Sequence, residues 1–84
     1  MTNAEKAKRI KQAMLETHDQ LVKARKRYND TIKCLKMEIA ENKKLGNDLS
    51  ANKAWVDYAN QDKARVRELE AHMQRLEKML KDIA

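Results

Sequence analysis

The sequence has no proline, one glycine and no phenylalanine, and its aromatic side chains are one tryptophan and two tyrosines. Folds built from sheets need many turns, and proline and glycine are the residues that supply them. A β-sandwich, a β-barrel and a βαβ unit are therefore excluded. With 42% apolar and 38% charged residues among 84, the chain forms one small unit without a large globular core. The remaining class is all-α, a coiled coil of long helices.

Long apolar runs are also absent. No segment approaches the roughly 18 consecutive apolar residues of a membrane span. The segment from Met1 to Lys11 lacks the apolar centre of a signal peptide. Cys34 is the only cysteine, so no internal disulfide can form, and a free thiol is typical of a reducing compartment. We expect a protein of the cytoplasm or of an intracellular particle.

Residues for catalysis or metal binding are scarce. His18 and His72 are the only histidines, and neither stands in a cluster of cysteines or carboxylates with the spacing of a metal site. There is no glycine-rich phosphate loop and no concave scaffold that would tune a catalytic group. The sequence predicts no enzyme, no catalytic residues, no metal, no cofactor and no small-molecule substrate.

Capping residues mark two helices. Thr2 and Glu5 have the S/T-x-x-E spacing of a capping box, which predicts a helix start. Gly46 suits a helix end, because glycine adopts the left-handed conformation without strain. Asp48 and Ser50 are good N-cap residues for a second helix. We predict helices over about 3–45 and 50–84, with a break or turn at 46–50, in a single coiled-coil unit covering 1–84.

Apolar residues form one stripe on each helix. On a helical wheel the stripe of the first helix is about 60° wide, and that of the second has the alternating three- and four-residue spacing of a coiled-coil seam. We interpret both as association seams. Their members are Ile10, Met14, Leu21, Tyr28, Ile32, Leu35, Ile39, Val66, Leu69, Met73, Leu76, Leu80 and Ile83.

The two stripes allow two architectures. The seam slips by one residue near Gly46, and polar Asn42, Asn52 and Asp62 weaken its centre, which favours an antiparallel helical hairpin. In the hairpin, the numbers of facing residues add up to about 94. The alternative is one continuous rod-like helix, because a single interior glycine costs only about 1 kcal/mol. Asp62 is a candidate for setting the register.

Two helices with one apolar stripe each make a thin core. We therefore expect a homodimer or a complex with a partner coiled-coil protein. Trp55 lies near the bend, where it either seals the end of a bundle or anchors a partner.

The net charge of +6 lies entirely in the first helix, since residues 1–45 carry twelve basic and six acidic side chains. Eight cations lie within about 100° of arc on the helical wheel. They form either a solvated flank or a candidate stripe for a polyanion such as nucleic acid. This basic flank comprises Lys8, Lys11, Arg25, Lys26, Lys33, Lys36, Lys43 and Lys44.

The sequence thus predicts a small coiled-coil assembly or adaptor protein that associates with itself and with a larger partner. Two alternatives stay open. One is a basic nucleic-acid-binding accessory factor acting through the first helix. The other is a small phage-type inhibitor that docks on a host protein.

Overall fold

The chain folds into two long α-helices joined by a short bend. The computed structural model describes residues 1–83, with α1 over Asn3–Leu45, one 3₁₀ turn over Leu49–Asn52 and α2 over Lys53–Ile83. The molecule measures 64 × 15 × 14 Å. A helix of 43 residues is itself about 64 Å long at 1.5 Å per residue, so α1 sets the length of the molecule. The all-α prediction with two helices is confirmed.

The first helix begins where its cap predicts. The backbone N–H of Glu5 donates to the Thr2 hydroxyl oxygen at 3.2 Å, and Thr2 has the extended backbone of an N-cap. This bond satisfies one of the free N–H groups in the first turn.

The bend begins with a glycine cap. Gly46 has φ +70°, in the left-handed region, and its N–H donates to the Lys43 carbonyl at 3.3 Å. The next N–H, of Asn47, reaches back to the Asn42 carbonyl at 2.9 Å. These bonds satisfy carbonyls of the last turn, as in a Schellman motif. The predicted end of the first helix is confirmed.

The start of the second helix differs from the prediction. Residues 49–52 form a 3₁₀ turn, so α2 begins at Lys53. Asp48 precedes this turn without a side-chain capping bond, and its backbone carbonyl accepts from the Ala51 N–H at 3.0 Å. The 3₁₀ turn leads from the glycine cap directly into α2. It takes the place of the side-chain caps predicted at Asp48 and Ser50. Ala84, the last residue of the predicted helix, lies outside the described residues.

The helices lie side by side and run in opposite directions. Two pairs of side chains join α1 to α2, Arg25 with Glu70 and Thr31 with Asp62, and a third pair, Asn42 with Asn52, joins α1 to the 3₁₀ turn. The residue numbers of each pair add up to about 94, which is the register expected for the hairpin.

The core is a single thin layer between the helices. Its buried apolar residues are Ile10, Leu21, Ala59, Leu69 and Leu76. None of the described side chains is completely buried. Each helix buries one stripe against the other and leaves the rest of its circumference in solvent, as two helices without a third must.

Polar residues within this layer are paired. Asn42 and Asn52 are 6% and 4% exposed, and the Asn42 amide donates to the Asn52 oxygen at 2.6 Å. Thr17 is buried, and its hydroxyl donates to the Ala13 carbonyl at 2.7 Å. Asn42 and Asn52 were expected only to weaken the seam. Because they satisfy each other across the helices, they form a specific contact there instead.

Candidate functional site: an apolar groove between the helices

The predicted seam faces the other helix of the same chain. All thirteen seam residues are buried or half-buried. Leu21 with Met73 and Met14 with Leu80, whose residue numbers add up to 94 in each case, line one groove together. Much of each seam is therefore covered within the hairpin, and what remains for another chain is the open side of the layer.

That open side forms an apolar groove between α1 and α2 with a volume of about 570 Å³. Its floor consists of Met14, Leu21, Met73 and Leu80, which the two helices contribute from opposite sides. We call this feature the groove. Lys11, Leu15 and His18 line its α1 edge, and Glu77 lines its α2 edge.

Exposed apolar residues extend the α1 edge. Leu15 is 67% exposed although it lines the groove, and Val22 is 51% exposed. Val22 follows Leu15 by seven residues, or about two turns, and so lies on the same side of α1. Sequence reasoning missed both residues because they fall outside the main stripe. Their seven-residue spacing is the signal that would have found them.

Basic and acidic residues with the same spacing run along this side of the hairpin, and Lys11, His18 and Glu77 among them line the groove. Lys11, His18 and Arg25 follow one another at intervals of seven along α1, and we call them the α1 row. Glu70 and Glu77 have the same spacing along α2 and form the α2 row. Arg25 and Glu70 approach each other to 3.9 Å across the helices while both stay about half exposed. This pair contributes little to stability, since exposed ion pairs contribute about 0–1 kcal/mol.

The opposite side of the hairpin is polar at mid-length. Asp62 there accepts from the Thr31 hydroxyl at 2.6 Å and lies 3.3 Å from the Arg27 guanidinium. A smaller depression of about 260 Å³ is lined almost entirely by polar side chains: Gln20, Arg65, Glu68, Leu69, His72 and Arg75. The side of the hairpin that bears the groove is therefore apolar, and the opposite side is polar.

Trp55 lies in the first turn of α2. It is half-buried, and its ring meets that of Tyr58 edge to face with centroids 5.9 Å apart. Tyr58 itself is 53% exposed. The pair therefore leaves an aromatic edge in solvent near the bend.

The basic flank is exposed at all eight positions. Among residues 1–83, the ion pairs involve only one of the eight, Arg25. Seven cations of α1 therefore project into solvent without an anionic partner in the described part of the chain. Their charges are available to an external anion.

The histidines and the cysteine, which are the residue types most often found in metal and catalytic sites, lie apart in the fold. His18 lines the groove and His72 the polar depression, so the two histidines lie on different sides of the hairpin. Cys34 is exposed. Across residues 1–83, no group of three histidine, cysteine or acidic side chains is placed to hold a metal ion. No described helix has the length and apolar character needed to cross a membrane.

The fold places the chain in the class of two-helix, all-α proteins. Comparison with known proteins finds no matching family model, no matching curated protein and no matching solved structure. Any function must therefore be argued from the surfaces of the hairpin itself.

Proposed function

We propose that the protein is a small helical assembly module whose groove takes a helix of another chain, either a second copy or a larger partner. The observation that carries this proposal is the apolar groove itself, with a largely exposed leucine at its edge. A third or fourth helix in the groove would cover the open side of the thin apolar layer. Each seam would then pack against two helices, as in a helical bundle.

Leu15 gives the most direct test, because it lines the groove and projects from it. We replace Leu15 with the photoreactive residue p-benzoylphenylalanine, irradiate cells that produce the protein, and identify adducts by mass spectrometry. We expect one dominant adduct. The matched control places the same residue at Cys34, which is exposed and does not line the groove. If Leu15 yields no more adduct than the Cys34 position, the proposal is wrong.

A second candidate function is binding of nucleic acid through the basic flank. It is supported by the seven exposed cations without an ion-pair partner in residues 1–83. Contacts to phosphates would make affinity fall steeply with salt and depend little on sequence. The test is fluorescence anisotropy with a labelled duplex, comparing the wild type with the charge reversal Arg25→Glu, Lys26→Glu, Lys33→Glu and Lys36→Glu. Loss of salt-sensitive binding while helicity is kept would support this candidate; absence of binding by the wild type would remove it.

A further inference from the structure

The hairpin exposes more surface than a compact protein of its mass. Its accessible surface is 6746 Å² for 9.8 kDa. A compact monomer of that mass exposes about 5,200 Å², so the excess is about 1,500 Å². A stable dimer buries about 800 Å² on each chain. The surface exposed beyond that of a compact monomer is therefore larger than the area that each chain buries in a stable dimer.

We infer that the groove is closed by a second copy of this chain, arranged so that the bends of both copies lie at the same end. The inference rests on the proposed function, because it names the chain that occupies the groove. It is carried by the charges that border the groove and by the register of the two helices.

The two charged rows lie at matching heights. Arg25 is level with Glu70, to which it is paired at 3.9 Å. His18 lies seven residues before Arg25 on α1, and Glu77 lies seven residues after Glu70 on α2. Because the helices are antiparallel, both steps cover about 10 Å in the same direction along the hairpin, so His18 is level with Glu77. Both His18 and Glu77 line the groove. The α1 edge of the groove therefore carries the cation of Lys11 and its row continues to Arg25, whereas the α2 edge carries the carboxylate of Glu77 and its row continues to Glu70.

This asymmetry selects one arrangement of two copies. With a twofold axis parallel to the helices, α1 of each copy lies over α2 of the other, and the α1 row faces the α2 row at the same height, twice. With the twofold axis across the helices, α1 lies over α1, so basic rows oppose each other and acidic rows do the same. Charges at the edges of a helical interface set the orientation of partners, and like charges oppose association. The rows therefore favour the parallel arrangement.

The apolar residues fit the same arrangement. When α1 of one copy lies over α2 of the other, Leu15 comes level with Leu80 of the second copy, and Met14 lies one residue further along. Leu15, which is 67% exposed in the single hairpin, then packs on the floor of the neighbouring groove. Burial of its exposed side chain supplies part of the apolar driving force.

The affinity of the purified chain for itself, measured by sedimentation equilibrium, tests the facing rows. Glu70→Lys with Glu77→Lys is expected to weaken self-association about tenfold or more, since the two Arg25–Glu70 pairs between the copies turn repulsive and both carboxylates facing His18 are lost. Adding His18→Glu and Arg25→Glu to the same chain puts acidic residues opposite the new lysines at both facing levels, and we expect affinity to return to within about threefold of the wild type. The matched control, Asp30→Lys with Glu41→Lys, makes the same change in net charge on exposed α1 residues outside the groove and should have little effect. Circular dichroism of each variant separates lost association from lost folding.

The orientation is tested by one distance. A spin label at Ser50→Cys, in a chain with Cys34→Ser, reports on the bend, where Ser50 is exposed. In the parallel dimer the two labels lie at one end, less than about 30 Å apart, because two helix layers are about 20 Å thick. In the opposite arrangement they lie about a molecular length apart, and that length is 64 Å. A distance near 60 Å overturns the inference.

The outcomes separate this inference from the proposed function. If the wild type stays monomeric up to about 100 µM, a second copy is not the occupant. An adduct at Leu15 with a different protein then leaves the proposed function standing and overturns only the inference. If there is neither self-association nor an adduct, both are wrong.

Discussion

The side-chain amide of Asn42 donates to the side-chain oxygen of Asn52 at 2.6 Å, directly across the helix interface beside the bend. A second amide, from Asn47, donates to the Asn42 oxygen at 3.1 Å. The three asparagines thus tie the end of α1, the bend and the 3₁₀ turn together. Since Asn52 is buried, its side-chain oxygen depends on the Asn42 amide for a donor, whereas Asn42 also has the Asn47 amide as a partner.

We therefore predict that Asn42→Ala lowers the free energy of unfolding by about 1–3 kcal/mol, because it leaves the Asn52 oxygen buried without its donor. Urea denaturation followed by circular dichroism measures the change. Asn60→Ala is the matched control, because Asn60 is an exposed residue of α2, and it should change stability by less than about 0.5 kcal/mol. Equal effects of the two substitutions would contradict the role of the buried pair.

The Thr31–Asp62 hydrogen bond is the corresponding contact at mid-length. We predict that Thr31→Val and Asp62→Ala each destabilise the protein and that their effects are not additive. A double-mutant cycle should give a coupling free energy of about 0.5–1.5 kcal/mol. The Arg27 side chain near Asp62 is 81% exposed, so solvent screens that charge pair and the hydroxyl accounts for most of the coupling. A coupling of zero would show that the bond is not formed in solution.

Gly46 is a second determinant of the bend. A Cβ at this position would meet nothing within 4 Å, so only the backbone conformation opposes a side chain. Because φ is +70°, Gly46→Ala should cost about 1–2 kcal/mol. Gly46→Asn should cost less, since asparagine tolerates the left-handed region better. Chemical denaturation of both variants measures the difference, and an equal or reversed order would contradict a left-handed residue here.

The two core leucines of α2 have the largest expected effect. Leu69 is 4% exposed, and Leu69→Ala should destabilise the protein by about 2–5 kcal/mol through lost burial and an unfilled cavity. A small hairpin has little stability in reserve, so we expect most of the helical signal to be lost, and the same for Leu76→Ala. Met37→Ala is the control, since Met37 is 72% exposed and its truncation removes no core contact. Retention of full helicity at 37 °C by Leu69→Ala would argue against this core.

Small-angle scattering tests the bend in solution. A hairpin, alone or in the parallel dimer, has a maximum dimension close to the 64 Å of the structure. A continuous helix over the same residues would be about 120 Å long at 1.5 Å per residue. A maximum dimension near the longer value would show that the chain is a rod under those conditions.

Much of the fold follows from local sequence signals. Thr2 and Gly46 mark the ends of α1 because their capping bonds are made within a few residues. The seam residues are buried or half-buried because helical spacing alone decides which side chains share a face. Asp48 was assigned a capping side chain from its residue type, whereas the 3₁₀ turn depends on how the bend is closed, which no local pattern gives.

The polar pairs could not be predicted from the spacing of residues along the sequence. Asn42, Asn52 and Asp62 interrupt the apolar stripe in the sequence, and their partners become visible only when both helices are in place. The groove could not be predicted from the sequence pattern either, because its floor is formed by residues of both α1 and α2. Leu15 becomes recognisable as a residue of the groove edge only in the folded hairpin, where α2 covers the main apolar stripe and leaves Leu15 exposed.

The antiparallel course of the helices has a practical consequence. Ile10 and Ile83 line a common depression with Met1, so the start of α1 and the end of α2 lie together, far from Gly46. Any polypeptide joined ahead of Asn3 or behind Ile83 would leave from this one end. A fluorescent protein attached at either terminus would thus leave the aromatic edge of Trp55 and Tyr58 unobstructed at the opposite tip.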